Sequence, residues 1–120
     1  MNIKSDVKNI KQNSIVADIA IDFLPEIETP NTWNILDRYY QSGFHFLNIA
    51  LGGELTSLDT AIHFISRIRS KLQKDIRFII VKTGDDILRA KKENKLGLGF
   101  WFQGITPLAN DINLIEAFYL

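Results

Sequence analysis

The side chains whose types first suggest chemistry are two aspartates, Asp18 and Asp22, and the two histidines, His45 and His63. Asp18 and Asp22 lie in one apolar, β-branched run. On a regular strand, residues four apart point to the same face about 13 Å from one another, too far to share a metal ion or a proton. Asp22, at the end of that run, has the better claim to a site; its other reading is a carboxylate that caps the loop before Pro25. His45 alternates with Phe44 and Phe46 near the start of an apolar run, and His63 sits beside Ile62 in a helical pattern. Neither has a partner at metal-ligand spacing, so both read as structural or surface groups. Cysteine is absent, which removes disulfides, thiolate ligands and a Cys nucleophile. Gly84-Asp85-Asp86 lacks the glycine pattern and lysine of a phosphate loop. Gly97 and Gly99 fall inside an apolar run, where glycine more often admits close packing.

The remaining composition narrows the class. The chain has 120 residues, 46% of them apolar, with 14 basic and 14 acidic side chains. That predicts a single soluble globular domain over 1–120. A zero formal charge argues against a nucleic-acid footprint and against a polybasic membrane anchor. No apolar run reaches the roughly 20 residues that span a bilayer. The first 13 residues carry alternating charge without an apolar stretch, unlike a secretory signal, so a cytoplasmic location is expected.

The elements that must position these residues follow from periodicity. Ile3, Val7 and Ile10 predict an amphipathic N-terminal helix within 1–13. Residues 14–24 read as a mostly buried strand ending near Asp22. Thr29-Pro30 suits a helix start, and Trp33, Leu36, Tyr39 and Tyr40 predict a helix over 31–42, with Gly43 as its left-handed stop. A strand over 44–51 ends at Gly52-Gly53. Thr56 or Ser57 then caps a helix with Leu58, Ile62, Ile65, Ile68 and Leu72 on one stripe. A third strand over 76–81 leads through Gly84 to a short helix that Asp85 could cap. The fourth strand covers 96–102, and a loop at 103–108 precedes a last helix capped by Asn110 or Asp111. Four alternations of strand and helix predict an α/β fold with a parallel sheet. In such folds ligands gather at the C-terminal strand ends. These are Asp22, Asn48, Gly52-Gly53-Glu54, Lys82-Thr83 and Gln103-Gly104, a set without histidine or clustered carboxylates.

Beyond these patterns, the run from Asp85 to Gly97, DDILRAKKENKLG, resembles the membrane dipeptidase (renal dipeptidase) family, in which D-D-I-x-R-A-K-x-x-G-K leads into a barrel strand. That strand closes on E-G-G and is followed by an N-D-L-x-L-L-x-x-F-Y helix. The counterparts here are Phe102-Gln103-Gly104-Ile105 and the segment from Asn110 to Tyr119, NDINLIEAFY. The family's opening D-x-H-x-D is similar to Asp18-Ile19-Ala20-Ile21-Asp22. The resemblance implies about four βα units, the first half of a (β/α)8 TIM barrel, which typically needs about 250 residues. It also implies a binuclear zinc site that hydrolyses dipeptides. Carried over by position, Asp22 matches a metal-binding aspartate. Ala20 stands at a histidine ligand and Gln103 at the glutamate that bridges both metals. With an imidazole and a carboxylate replaced, no bound cofactor and no hydrolysis by this chain alone are expected. Gln103 and Gly104 would instead line a pocket for a dipeptide or small amide. Four strands leave two unpaired edges, so a homo-oligomer, or the rest of a barrel, is the expected partner. The alternative is a non-catalytic binding or interaction module that assembles through those edges.

Overall fold

The computed structural model describes residues 3–119. Its elements are α1 (Ile3–Asn13), β1 (Ala17–Asp22), α2 (Thr32–Gln41), β2 (Phe46–Ala50), α3 (Leu58–Leu72), β3 (Phe78–Ile80), α4 (Gly84–Lys92), β4 (Leu96–Trp101) and α5 (Leu114–Phe118). Strand and helix alternate and all strand pairings are parallel, the expected α/β class, as in part of a TIM-type barrel. The strands lie in the order β1-β2-β4-β3. Consecutive barrel strands would run 1-2-3-4; here β4 enters between β2 and β3.

This order sets which face each helix covers. Register pairs Leu47 with Leu98 and Ile49 with Phe100 on one face, and Phe46 with Gly97, Asn48 with Gly99 and Ala50 with Trp101 on the other. The first face builds the core: Leu47, Ile49, Leu96 and Leu98 pack with Leu36 of α2 and with Phe64, Ile68 and Leu72 of α3. Because the chain moves back from β3 to β4, a right-handed crossover must put α4 on the opposite face. The contacts agree. A Cβ on Gly97 would lie 3.5 Å from Ala90 Cβ of α4 and 2.7 Å from Val81 Cγ2, so only glycine admits this approach. Lys91 Nζ, also on α4, donates to the carbonyls of Gln12 and Ser14 ahead of β1 at 2.7 and 3.0 Å. Thus α4 crosses the N-terminal end of this second face. Neither α1 nor α5 buries any residue.

Several local expectations are corrected. β1 is an edge strand and largely exposed, Ile19 at 70%, because it has a neighbour on one side only. Asp18 pairs with Leu47 but Asp22 pairs with Ala50, with a register irregularity between them. Four residues therefore oppose three, a bulge that reverses alternation, and the two aspartates fall on opposite faces. Asp18 belongs to the helix face, where it accepts a hydrogen bond from Tyr39 Oη at 2.8 Å. Burial, then that bond, holds the Tyr39 phenol above its ordinary pKa.

Helix α2 starts at Thr32, whose Oγ1 accepts from Thr29 N at 2.8 Å, so Thr29-Pro30 is not its cap pair. Gly43 has the expected left-handed φ of 76°. Ser57 caps α3, accepting from Thr60 N at 3.2 Å. The buried stripe of α3 is Ala61, Phe64, Ile68 and Leu72, whereas Ile62 is 51% exposed. Thr83, not Asp85, precedes α4, and the Asp86 carboxylate accepts from Lys82 N and Thr83 N, both at 3.0 Å. Those two bonds come first among the causes that hold Asp86 below the ordinary carboxylate range. Helix α5 begins at Leu114 because Ala109 and Asn110 adopt left-handed φ and Asp111 turns back to accept from Asn113 N.

His45 supplies a pH-sensitive joint at the lower sheet end. Val16 N donates to His45 Nδ1 at 2.9 Å, while His45 N donates to Val16 O and His45 O accepts from Gly97 N. Burial first, then Lys91 and Lys11, lower its pKa below 6.5. The unfolded chain therefore takes up this proton at higher pH than the fold does. The contribution is complete above the unfolded pKa and is lost as pH falls through the folded one. In thermal melts from about pH 8 to about pH 5, the wild-type midpoint is expected to hold and then fall below about 6.5. His45→Asn, which keeps an acceptor but cannot titrate, is expected to flatten that fall; parallel curves for the two proteins would refute the assignment.

Candidate functional site

The C-terminal ends of β1, β2 and β4 are joined in a row by backbone bonds. Phe23 N donates to Ala50 O at 3.2 Å, Leu51 N to Trp101 O at 2.9 Å and Gln103 N to Gly52 O at 2.7 Å. The turn after β2 is held from below by buried Thr56: its Oγ1 accepts from Gly53 N at 2.9 Å and its N donates to Gly53 O at 3.1 Å. This fixes Gly52-Gly53-Glu54 against the turn after β4. A Cβ on Gly104 would lie 2.7 Å from Glu54 Oε1 and 2.9 Å from Glu54 N, so the absent side chain is what lets Glu54 lie there. A Cβ on Gly53 would be 3.9 Å from Gln103 Oε1, which places the Gln103 amide over the same turn. Gln103 and Glu54 are exposed.

Asp22 is exposed at the top of β1, on the face of Ala50. Its reading as a loop cap is not realised: Leu24 precedes the short turn at Pro25–Ile27, and no side chain caps it. Ala20 lies within the bulge and its N donates to Asp18 Oδ1 at 3.3 Å. The structure therefore joins the Gly52–Glu54 and Gln103–Gly104 turns, with Asp22 on the adjoining strand end. Two other candidates fall elsewhere. Asn48 is mid-strand, against Gly99. Lys82-Thr83 caps α4 beyond β3, whose pairing reaches only Leu98 of β4. In the sequence Glu54 is marked only as part of the Gly-Gly-Glu turn; its place beside Gly104 depends on the β2–β4 register.

The donor set does not fit a binuclear metal centre. It offers the carboxylates of Asp22 and Glu54 and the neutral Gln103 amide. His45 is at the opposite strand end, and His63 faces outward from α3 beside Asp59 at 3.3 Å. Among the described residues no group of three or more His, Cys, Asp and Glu could hold a metal ion. Zinc held in the manner of dipeptidases lacks its ligands here.

No protein-family model and no curated protein matches the chain. Among solved structures, it is similar to an amidohydrolase from Pseudomonas aeruginosa, with a TM-score of 0.77 over 93% of this chain at 18% identity. The chain spans 33% of that protein's length. The likeness establishes the fold: parallel strands alternating with helices, matching about a third of a larger amidohydrolase.

Proposed function

We propose that the chain is a divergent, dipeptidase-like portion of a metal-dependent hydrolase fold. Its strand-end site binds a dipeptide or small amide without hydrolysing it. The observation that carries this reading is the pair of turns at Gly52–Glu54 and Gln103–Gly104, packed where such folds bind ligands; the dipeptidase resemblance sets the Gln103 amide against a metal-bridging glutamate. Gln103 can both donate to and accept from a peptide bond, while Asp22 and Glu54 can accept from an amine. Ala20 offers no ligand. The amidohydrolase likeness and the dipeptidase-like motifs point to the same ancestry. The chain acts as one unit over 1–120, in the cytoplasm; no helix among the described residues is long and apolar enough to cross a membrane. Calorimetric titration with alanyl-alanine is expected to show saturable binding that Gln103→Ala weakens, with no product formed when zinc is added. Hydrolysis in the presence of two zinc ions per chain would overturn this reading.

A second reading rests on the edges. β1 exposes one side along its length, and β4 beyond Leu98 has a partner only in β2. Such edges pair with other chains unless covered. The chain then acts as an interaction module, and sedimentation at micromolar concentration is expected to give a dimer or larger species. A monomer would rule it out.

A further inference from the structure

A cavity of about 750 Å³ lies between α3, the upper part of β4 and α5. That volume falls in the range of roughly 300–1,000 Å³ typical of small-molecule sites. Its walls differ in character. One is apolar, built from Phe100 of β4 and Phe102 just after it, with Ile105, Ile115 and Phe118. Phe102 and Phe118 meet edge to face at 4.8 Å, which stiffens this wall. The other is α3, which presents Ser66, Arg69 and Ser70, with Gln73 at its C-cap, at helical spacing and flanked by Ile62 and Ile65. This accounts for the apolar positions of α3 that the core leaves out. Its hydrophobic band is wider than one stripe, and Ile62 and Ile65 line the cavity while Phe64 and Ile68 fill the core.

The polar groups of the cavity identify what would fill it. Arg67, Arg77 and Arg89 each hold a carboxylate, from Glu28, Asp75 and Asp86. Half-buried Arg69 has no such partner among the described residues. An arginine guanidinium is a donor only, so the group that Arg69 lacks is an acceptor; with one cation lining the cavity, it carries a single negative charge. We infer that the cavity binds a monocarboxylate bearing an aliphatic or aryl tail. The carboxylate sits on Arg69 and the tail lies along Phe100, Phe102 and Phe118. Charge complementarity at Arg69, on the polar wall that faces Phe100, Phe102 and Phe118, favours this ligand over a second copy of the chain. The inference does not rest on the strand-end reading, since none of these side chains belongs to that site and only Gly104 borders both.

The probe is dodecanoate below its micelle concentration, titrated by calorimetry and by tryptophan fluorescence. One equivalent is expected to bind. Arg69→Gln, checked for folding by circular dichroism, is expected to weaken it about 10- to 100-fold, the span of a lost charge-assisted hydrogen bond. Arg69→Lys should recover part of that loss, and methyl dodecanoate should bind the wild type and Arg69→Gln equally. The inference is overturned if no saturable binding is seen, or if Arg69→Gln and the wild type bind dodecanoate alike. It is also overturned if sedimentation shows a dimer that excludes dodecanoate, because the cavity is then the seat of a second copy.

Discussion

Replacing Phe64 with alanine is expected to cost about 3–5 kcal/mol of folding stability, measured by urea denaturation at neutral pH. Phe64 is 1% exposed at the centre of α3 and stacks on Phe23 at 6.3 Å, itself fully buried. Phe23 in turn meets Trp33 of α2 edge to face at 5.1 Å. One ring therefore ties α3 to the end of β1 and, through Phe23, to α2. The surroundings are poorly placed to collapse into the space, because Leu47, Ile49 and Leu98 are anchored on paired strands. A domain of this size has a total stability of about 5–15 kcal/mol, so the variant is expected to be unfolded in part at 37 °C. Ile62→Ala, on the same helix but facing the cavity and half exposed, should cost less than about 1 kcal/mol. Equal losses at the two positions would mean that the core does not lie where the structure places it.

That contrast also marks where sequence reading stopped. The class was legible because Ile76–Val81 and Phe44–Leu51 are β-rich runs separated by helical periods, and each became a parallel strand, trimmed at its ends. On α3 periodicity picks out Ile68 and Leu72 of the buried stripe but favours Ile62 and Ile65 over Ala61 and Phe64, because the apolar band from Leu58 to Ile68 is too wide for periodicity to divide between core and cavity. The reversal of β3 and β4 leaves no periodic signature, since it depends on which side of β2 the chain returns. The bulge in β1 is equally silent: Asp18 and Asp22 keep their spacing in sequence, and only pairing with Leu47 and Ala50 separates their faces.

The candidate site was legible to the extent that strand ends are. Gln103-Gly104 and Gly52-Gly53-Glu54 were identifiable as post-strand turns, but their contact is a consequence of register. Glu54 can lie against Gly104 only because β2 and β4 are neighbours, and an order of 1-2-3-4 would have put β3 between them. On its other side β4 has no partner above Leu98, where the pairing with β3 ends, and the cavity opens there. The change in strand order thus shapes the polar turn pair, and the apolar space lies beside it.

Ala20→His combined with Gln103→Glu is expected to give the chain a zinc affinity at least about 100-fold above that of the unaltered protein, since an imidazole and a carboxylate join Asp22 as donors near the strand ends. The measurement is competition with a chromophoric chelator at neutral pH. Neither substitution meets a packed core, because Ala20 and Gln103 are both exposed. The two are expected to reinforce one another, as groups that share one ion do not act additively. Binding should weaken as pH falls through the ordinary histidine range near about 6.5, where proton and metal compete for the imidazole. Asp22→Ala in the altered chain is expected to return the affinity to its starting level. This outcome would tie Ala20, Asp22 and Gln103 to one former metal site. A double variant no better than the native chain would separate them, and the dipeptidase-like reading would then lose the correspondence on which it depends.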